Sequence, residues 1–164
     1  MMRVSLLALC LMLLSACDYF KPSRLQVPTT DISMEAPRGY SVSQRFPGIE
    51  NTANDGSFTV NSFPRQAIGS LGEMFASVER ATPTLHNRGI SVEGTETIQW
   101  NDKPVLLFRG TQKNEENILY EKWIAVFIDE RPIMIAFQEP RPGKLTKDEV
   151  VKAFASVRVE RDTR

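Results

Sequence analysis

The side chains able to do chemistry in this 164-residue chain are few: one histidine, two cysteines, and acidic pairs in turns. His86 lies in Thr84-Leu85-His86-Asn87-Arg88-Gly89. A general base needs a partner acid and a nucleophile within hydrogen-bond reach. Ser91 and Glu93 follow closely, but they alternate along a strand pattern and form no motif, so His86 reads as a surface histidine. Zinc needs three or four ligands, usually His or Cys, and this composition does not supply them. Asp129 and Glu130 would hold calcium only with further oxygen ligands, and as neighbours they read as a solvated hairpin turn. Gly69 and Gly72 flank a helix start without the spacing of a phosphate loop. The expectation is no catalytic residue, no metal and no cofactor.

The most telling thiol is Cys17. Arg3 is followed by an apolar run over residues 4–14 and then by Leu14-Ser15-Ala16-Cys17. A basic tip, a short apolar segment and small residues at a cut site read as a secretory signal peptide. The run is too short for a transmembrane helix, which needs about 20 apolar residues. Leu-Ser-Ala-Cys also resembles the bacterial lipoprotein signal at all four positions. That resemblance implies that the Cys17 sulfur receives a diacylglycerol, that the chain is cut before it, and that the new amine is acylated. Several acyl chains, at about 0.8 kcal/mol per buried methylene, make a lasting anchor. Asp18 resembles the enterobacterial signal for staying in the inner membrane. The implied location is the cell envelope, lipid-anchored and facing the periplasm.

Cutting residues 1–16 from the 164 leaves 148, with 19 basic and 20 acidic side chains. A near-neutral chain lacks the basic excess of a nucleic-acid binder. Cys10 leaves with the leader and Cys17 carries lipid, so the mature chain has no thiol for a disulfide, a metal or nucleophilic catalysis.

The positioning elements come next. Pro22, Pro28 and Pro37 break up residues 17–38, which read as a lipidated cysteine and flexible tether, with packing of Ile32 and Met34 on the domain as the alternative. The domain is expected over 39–159, with a tail at 160–164. Tyr40, Val42 and Gln44 alternate into a strand that ends at Phe46-Pro47-Gly48. A polar loop over 50–56 and a second strand over 57–63 follow. Ser70 with Glu73 suggests a capping box, and Leu71, Met74, Phe75 and Val78 make a helical stripe that Pro83 is expected to end. Four strands follow, over 90–100, 104–111, 118–128 and 133–137, joined by short turns. Such connections allow only antiparallel neighbours, and strands apolar on both faces need cover on both faces. Thr146 with Glu149 caps a closing helix whose stripe is Val150, Val151, Ala153, Phe154 and Val157. The expected fold is α+β: an α/β/α sandwich, its antiparallel meander covered by a helix on each face.

Gly39-Tyr40-Ser41-Val42, Ile124-Ala125-Val126-Phe127-Ile128-Asp129 and Phe154-Ala155-Ser156-Val157, in this element order, resemble the PsbP-like family (PsbP, Mog and DcrB-type proteins) over about residues 39–159. The resemblance implies a protein-binding accessory module and no enzyme. Proteins of similar build also serve as immunity proteins against toxins delivered between bacteria, and a small-ligand carrier or enzyme is the further alternative. The family has no shared catalytic motif to carry over. Binding is expected on loops held by the sheet: at Glu115 and Glu116, at Asp129 and Glu130, and at Arg141 in the Pro-stiffened loop after the last strand. The expected partners are the bilayer, through acylated Cys17, and another envelope or effector protein.

Overall fold

In a computed structural model of the chain the structure describes residues 23–160. The leader, Cys17 and Asp18 lie outside the described residues. The strands are β1 (Arg24–Gln26), β2 (Ile32–Glu35), β3 (Ser41–Val42), β4 (Gly48–Asn51) and β5 (Gly56–Ser62), then β6 (Ser91–Trp100), β7 (Lys103–Lys113), β8 (Leu119–Ile128), β9 (Pro132–Pro140) and β10 (Arg158–Val159). The helices are α1 (Ile68–Met74), α2 (Val78–Asn87) and α3 (Lys147–Ala155). Seven strands form one sheet in the order β3-β4-β5-β9-β8-β7-β6, and β1-β2-β10 form a second, smaller one. All pairings are antiparallel.

The two faces of the large sheet follow from the pleat, because successive side chains point to opposite sides. Trp123, Ala125 and Phe127 of β8 enter a large core with Ile133, Ile135 and Phe137 of β9 and with Val150, Ala153 and Phe154 of α3. Ile124 points the other way, into a smaller core with Phe108, Ala81 and Leu85 under α2. Phe75, just after α1, meets Phe108 edge-on at 5.8 Å. The expected sandwich, with a helix on each face of an antiparallel sheet, is the observed one. The Thr146 cap also forms: its Oγ1 accepts the Glu149 N–H at 3.3 Å while the Glu149 carboxylate accepts the Thr146 N–H at 2.8 Å.

Six details correct the expected picture. The tether over 17–38 is folded from Ser23 onward, since Val27, Ile32 and Met34 are each fully buried in the large core. The small sheet that holds them is completed by β10, whose Val159 pairs with Ile32. Residue 160 also belongs to the fold, because the Glu160 N–H donates to the Asp31 carbonyl at 2.6 Å. At the start of the large sheet, the long first strand is only β3, and the expected loop over 50–56 begins with the last residues of β4.

The remaining two corrections concern the helical stretch. Ser70 lies inside α1, with its hydroxyl donating to the Ala67 carbonyl at 3.2 Å, and caps nothing. The helix instead breaks after Phe75 and restarts at Ser77, whose hydroxyl accepts the Arg80 N–H. Pro83 therefore sits inside α2. There its fixed φ is helical and it forgoes one backbone bond.

Candidate protein-binding surfaces

The turn between β8 and β9 places Asp129 and Glu130 on the rim of an open groove of about 1160 Å³. One wall is this turn, with the link from β5 to α1, where the Phe63 N–H donates to the Pro132 carbonyl at 2.9 Å. The other is the small sheet, through Thr30 and Asp31 of the β1–β2 turn and Val159 and Glu160 at β10. Arg131 and Asp31 form an ion pair across the walls. Phe63, Ile133 and Val159 supply apolar lining. Four carboxylates (Asp31, Asp129, Glu130, Glu160) face two guanidinium groups (Arg65, Arg131), so the lining is acid-rich. Glu160 is fixed by the Ser33 hydroxyl at 2.5 Å. Both walls are built on paired strands, so the groove exists before anything enters it.

The opposite end of the sheet carries the other expected residues. Glu115 and Glu116 are exposed on the β7–β8 tip. The Asn114 side chain organises that tip by accepting the N–H of Glu116 at 3.0 Å and of Ile118 at 2.8 Å. Ile118, 41% exposed, is the one exposed large apolar side chain among the described residues. Arg141 lies at the same end and is held internally. It donates to both oxygens of Glu93 on β6, at 2.6 and 3.3 Å, and its Nε is 3.8 Å from Glu121 on β8. The Arg141 guanidinium holds the Glu93 carboxyl below the usual carboxylate range. The structure therefore does not unite the five residues. Asp129 and Glu130 are separated from the other three by the length of β8, about 30 Å at 3.3 Å per residue.

Behind Arg141 the chain buries a carboxylate. Glu139, 2% exposed, accepts the Asn54 amide at 2.5 Å and the backbone N–H groups of Lys144 and Leu145 at 2.7 and 3.1 Å. Gly143 permits this, because a Cβ there would lie 2.7 Å from the Glu139 carboxylate. Nearby, the Tyr40 hydroxyl is buried, and burial pushes its phenol well up from the ordinary value.

Sequence reasoning missed Asp31 and Glu160, which it placed in a tether and a tail. It missed Glu139 as a buried group because its acceptor role depends on a loop that folds back. Among the described residues no group of three or more His, Cys, Asp or Glu could hold a metal ion. His86 is exposed in the last turn of α2. No described helix is long and apolar enough to cross a membrane.

No family model and no curated protein matches the chain. Solved structures do. A crystal structure from Bacteroides thetaiotaomicron VPI-5482 is similar over 88% of this chain, with a TM-score of 0.52 and 10% identity. This chain spans 51% of that one, about half its length. The solution structure of cyanobacterial PsbP (CyanoP) from Synechocystis sp. PCC 6803 is similar at a TM-score of 0.48 and 14% identity, over 86% of this chain and 95% of that one. LpqN, involved in cell envelope biogenesis of Mycobacterium tuberculosis, is similar at a TM-score of 0.40 and 10% identity, over 84% and 80%. The likeness to the Bacteroides protein is one of fold.

Proposed function

We propose that this chain is a lipid-anchored protein of the bacterial envelope that works without catalysis, by binding another protein in the groove beside the β8–β9 turn. The observation that carries the reading is the groove itself. It is preformed, apolar along part of its lining and acid-rich at its rim. Loops fixed on a sheet lose little freedom when a partner arrives, which lowers the cost of association. The acid-rich rim favours a partner with a basic contact surface. The anchor is the Cys17 lipid, the domain faces the periplasm, and Asp18 keeps it at the inner membrane.

The test is a crosslinking pull-down from membranes with the lipidated protein as bait. One dominant partner is expected. Reversing the rim charge with Glu130→Lys should cut its recovery about tenfold, the equivalent of about 1.4 kcal/mol. Full recovery with that variant, and loss with Glu115→Lys and Glu116→Lys, would move the binding surface to the β7–β8 tip. Capture of no partner by any form would sink the binding reading. The chemistry of a captured partner separates an accessory role from immunity to a toxin. Cys17→Ala tests the anchor independently, since the unlipidated chain should leave the membrane fraction almost completely.

A further inference from the structure

Residues 61–80 contain no buried side chain, although α1 within them packs against β8 and β9. The other helices are set deeper: α2 buries Ala81 and Leu85, and α3 buries Val150, Ala153 and Phe154. In α1, Ile68, Leu71 and Met74 are only half-buried, while Gly69, Ser70 and Glu73 are exposed. No side chain caps its start. Among the described residues, every hydrogen bond of residues 64–74 ends within 64–80; the farthest joins Arg80 to Glu73 at 3.0 Å, both exposed. No polar tie therefore holds this segment to the sheet. Few buried contacts and locally closed hydrogen bonds mark an element that opens at low free energy. Two glycines weaken it further. A Cβ at Gly69 or Gly72 would meet nothing within 4 Å, so packing requires neither. Inside a helix each glycine is less favourable than alanine by a factor of about five.

The ends of the segment are fixed. The Phe63 N–H donates to the Pro132 carbonyl at 2.9 Å, Phe75 meets Phe108 edge-on, and α2 restarts at the Ser77 cap. Beneath the segment the sheet is apolar. Ile124, Val126 and Ile128 of β8 share this face, and Ile124 belongs to the core under α2. Val126, which stands opposite Met134 of β9, is left to α1. Phe63, Pro64 and Arg65, where the segment leaves the sheet, line the groove. We infer that residues 64–74 are a lid that lifts between Phe63 and Phe75 while the rest of the domain stays folded, and that lifting extends the groove onto Val126 and Met134. The occupant of the opened face is an apolar side chain of the partner whose basic surface meets the rim. Ile68, Leu71 and Met74 are what α1 lays against the sheet, so whatever replaces them must be apolar too. The occupant rests on the groove reading, whereas the lid does not.

The experiment uses the full lipidated protein in detergent micelles. With Cys10 removed along with the leader and Cys17 acylated, a new cysteine is the sole free thiol. It is placed at Val126→Cys, beneath the lid, or at Ala125→Cys, fully buried on the opposite face in the large core. The rate of reaction with a maleimide is measured under native conditions. Position 126 is expected to react at least tenfold faster than 125. Gly69→Ala with Gly72→Ala should slow position 126 about twentyfold, two factors of about five, and leave 125 unchanged. Equal slow rates at the two positions would overturn the lid, since β8 would then be reached only by unfolding the domain. So would a fast rate at 126 that the alanines do not alter, or an equal slowing of both positions. In the crosslinking pull-down, the same alanine pair should weaken capture of the groove's partner by the factor seen in labelling, because only the open fraction binds. Undiminished capture beside slowed labelling would overturn the apolar occupant and leave both lid and groove standing. Capture of no partner by any form would sink the groove reading and its occupant, while the labelling rates still decide the lid.

Discussion

Replacing Phe58 with alanine is expected to destabilise the domain by about 3–5 kcal/mol, the range for removing a large buried aromatic side chain. Phe58 is fully buried on β5. Its ring lies 4.7 Å from Phe137, its cross-strand partner on β9, and 5.7 Å from Phe154 on α3. It also meets Tyr40 edge-on at 5.6 Å. One ring thus joins the large sheet to its helical cover and to the segment that enters β3. The cavity cannot close easily, because its walls come from three separate elements. Domains of this size are stable by only about 5–15 kcal/mol, so the loss is a large share of the total. Denaturant unfolding of the unlipidated mature chain measures it. A loss below about 1 kcal/mol, the ordinary effect of a point substitution, would show that the ring is not the junction described.

The parts of this fold that the sequence displayed are those whose order is local. β6 to β9 are nine to eleven residues long, enough for alternation to show on both faces. The α3 cap is a contact between Thr146 and Glu149, three residues apart. The small sheet left no such trace. Its strands have two to four residues, too few for a period, and β2 meets β10 across more than 120 positions. Ile32 and Met34 were legible as side chains that could pack on the domain, but the proline and polar residues around them concealed the strand that buries them. The same distance dependence governed the candidate surfaces. Asp129 and Glu130 were legible as a turn, because Asp-Glu-Arg between two apolar strands admits little else. That the turn borders a groove depends on Asp31 and Glu160, which only the β1–β2–β10 pairing brings near. Arg141 was legible as a loop residue, yet Glu93 and Glu121 reach it only through strand order.

Glu139→Ala should cost about 3 kcal/mol, through the loss of several hydrogen bonds to one charged acceptor, each worth about 1.5–3 kcal/mol and not additive. The carboxylate ties together two loops that share no strand. Asn54 comes from the β4–β5 turn, and the N–H groups of Lys144 and Leu145 come from the segment that leads into α3. Glu139 also stands directly opposite Glu121 on β8, and like charges facing across a ladder are unfavourable. The pair is tolerable because each member has its own donors. Glu139 has the three just named, while Glu121 has the Trp123 indole N–H at 2.7 Å and Arg141 beside it. Glu139→Gln keeps one good acceptor but turns an N–H₂ toward the donors, so it should recover only part of the loss. Hydrogen exchange separates a wiring role from a general packing role. In the alanine variant, residues 141–146 and the first turn of α3 should exchange much faster while the centre of β8 and β9 keeps its protection. Uniform acceleration across the sheet, or a variant as stable as the parent, would show that the buried carboxylate does not organise this loop. The loop would then owe its shape to Arg141 and its two carboxylates, and an Arg141→Ala variant would show the selective exchange instead.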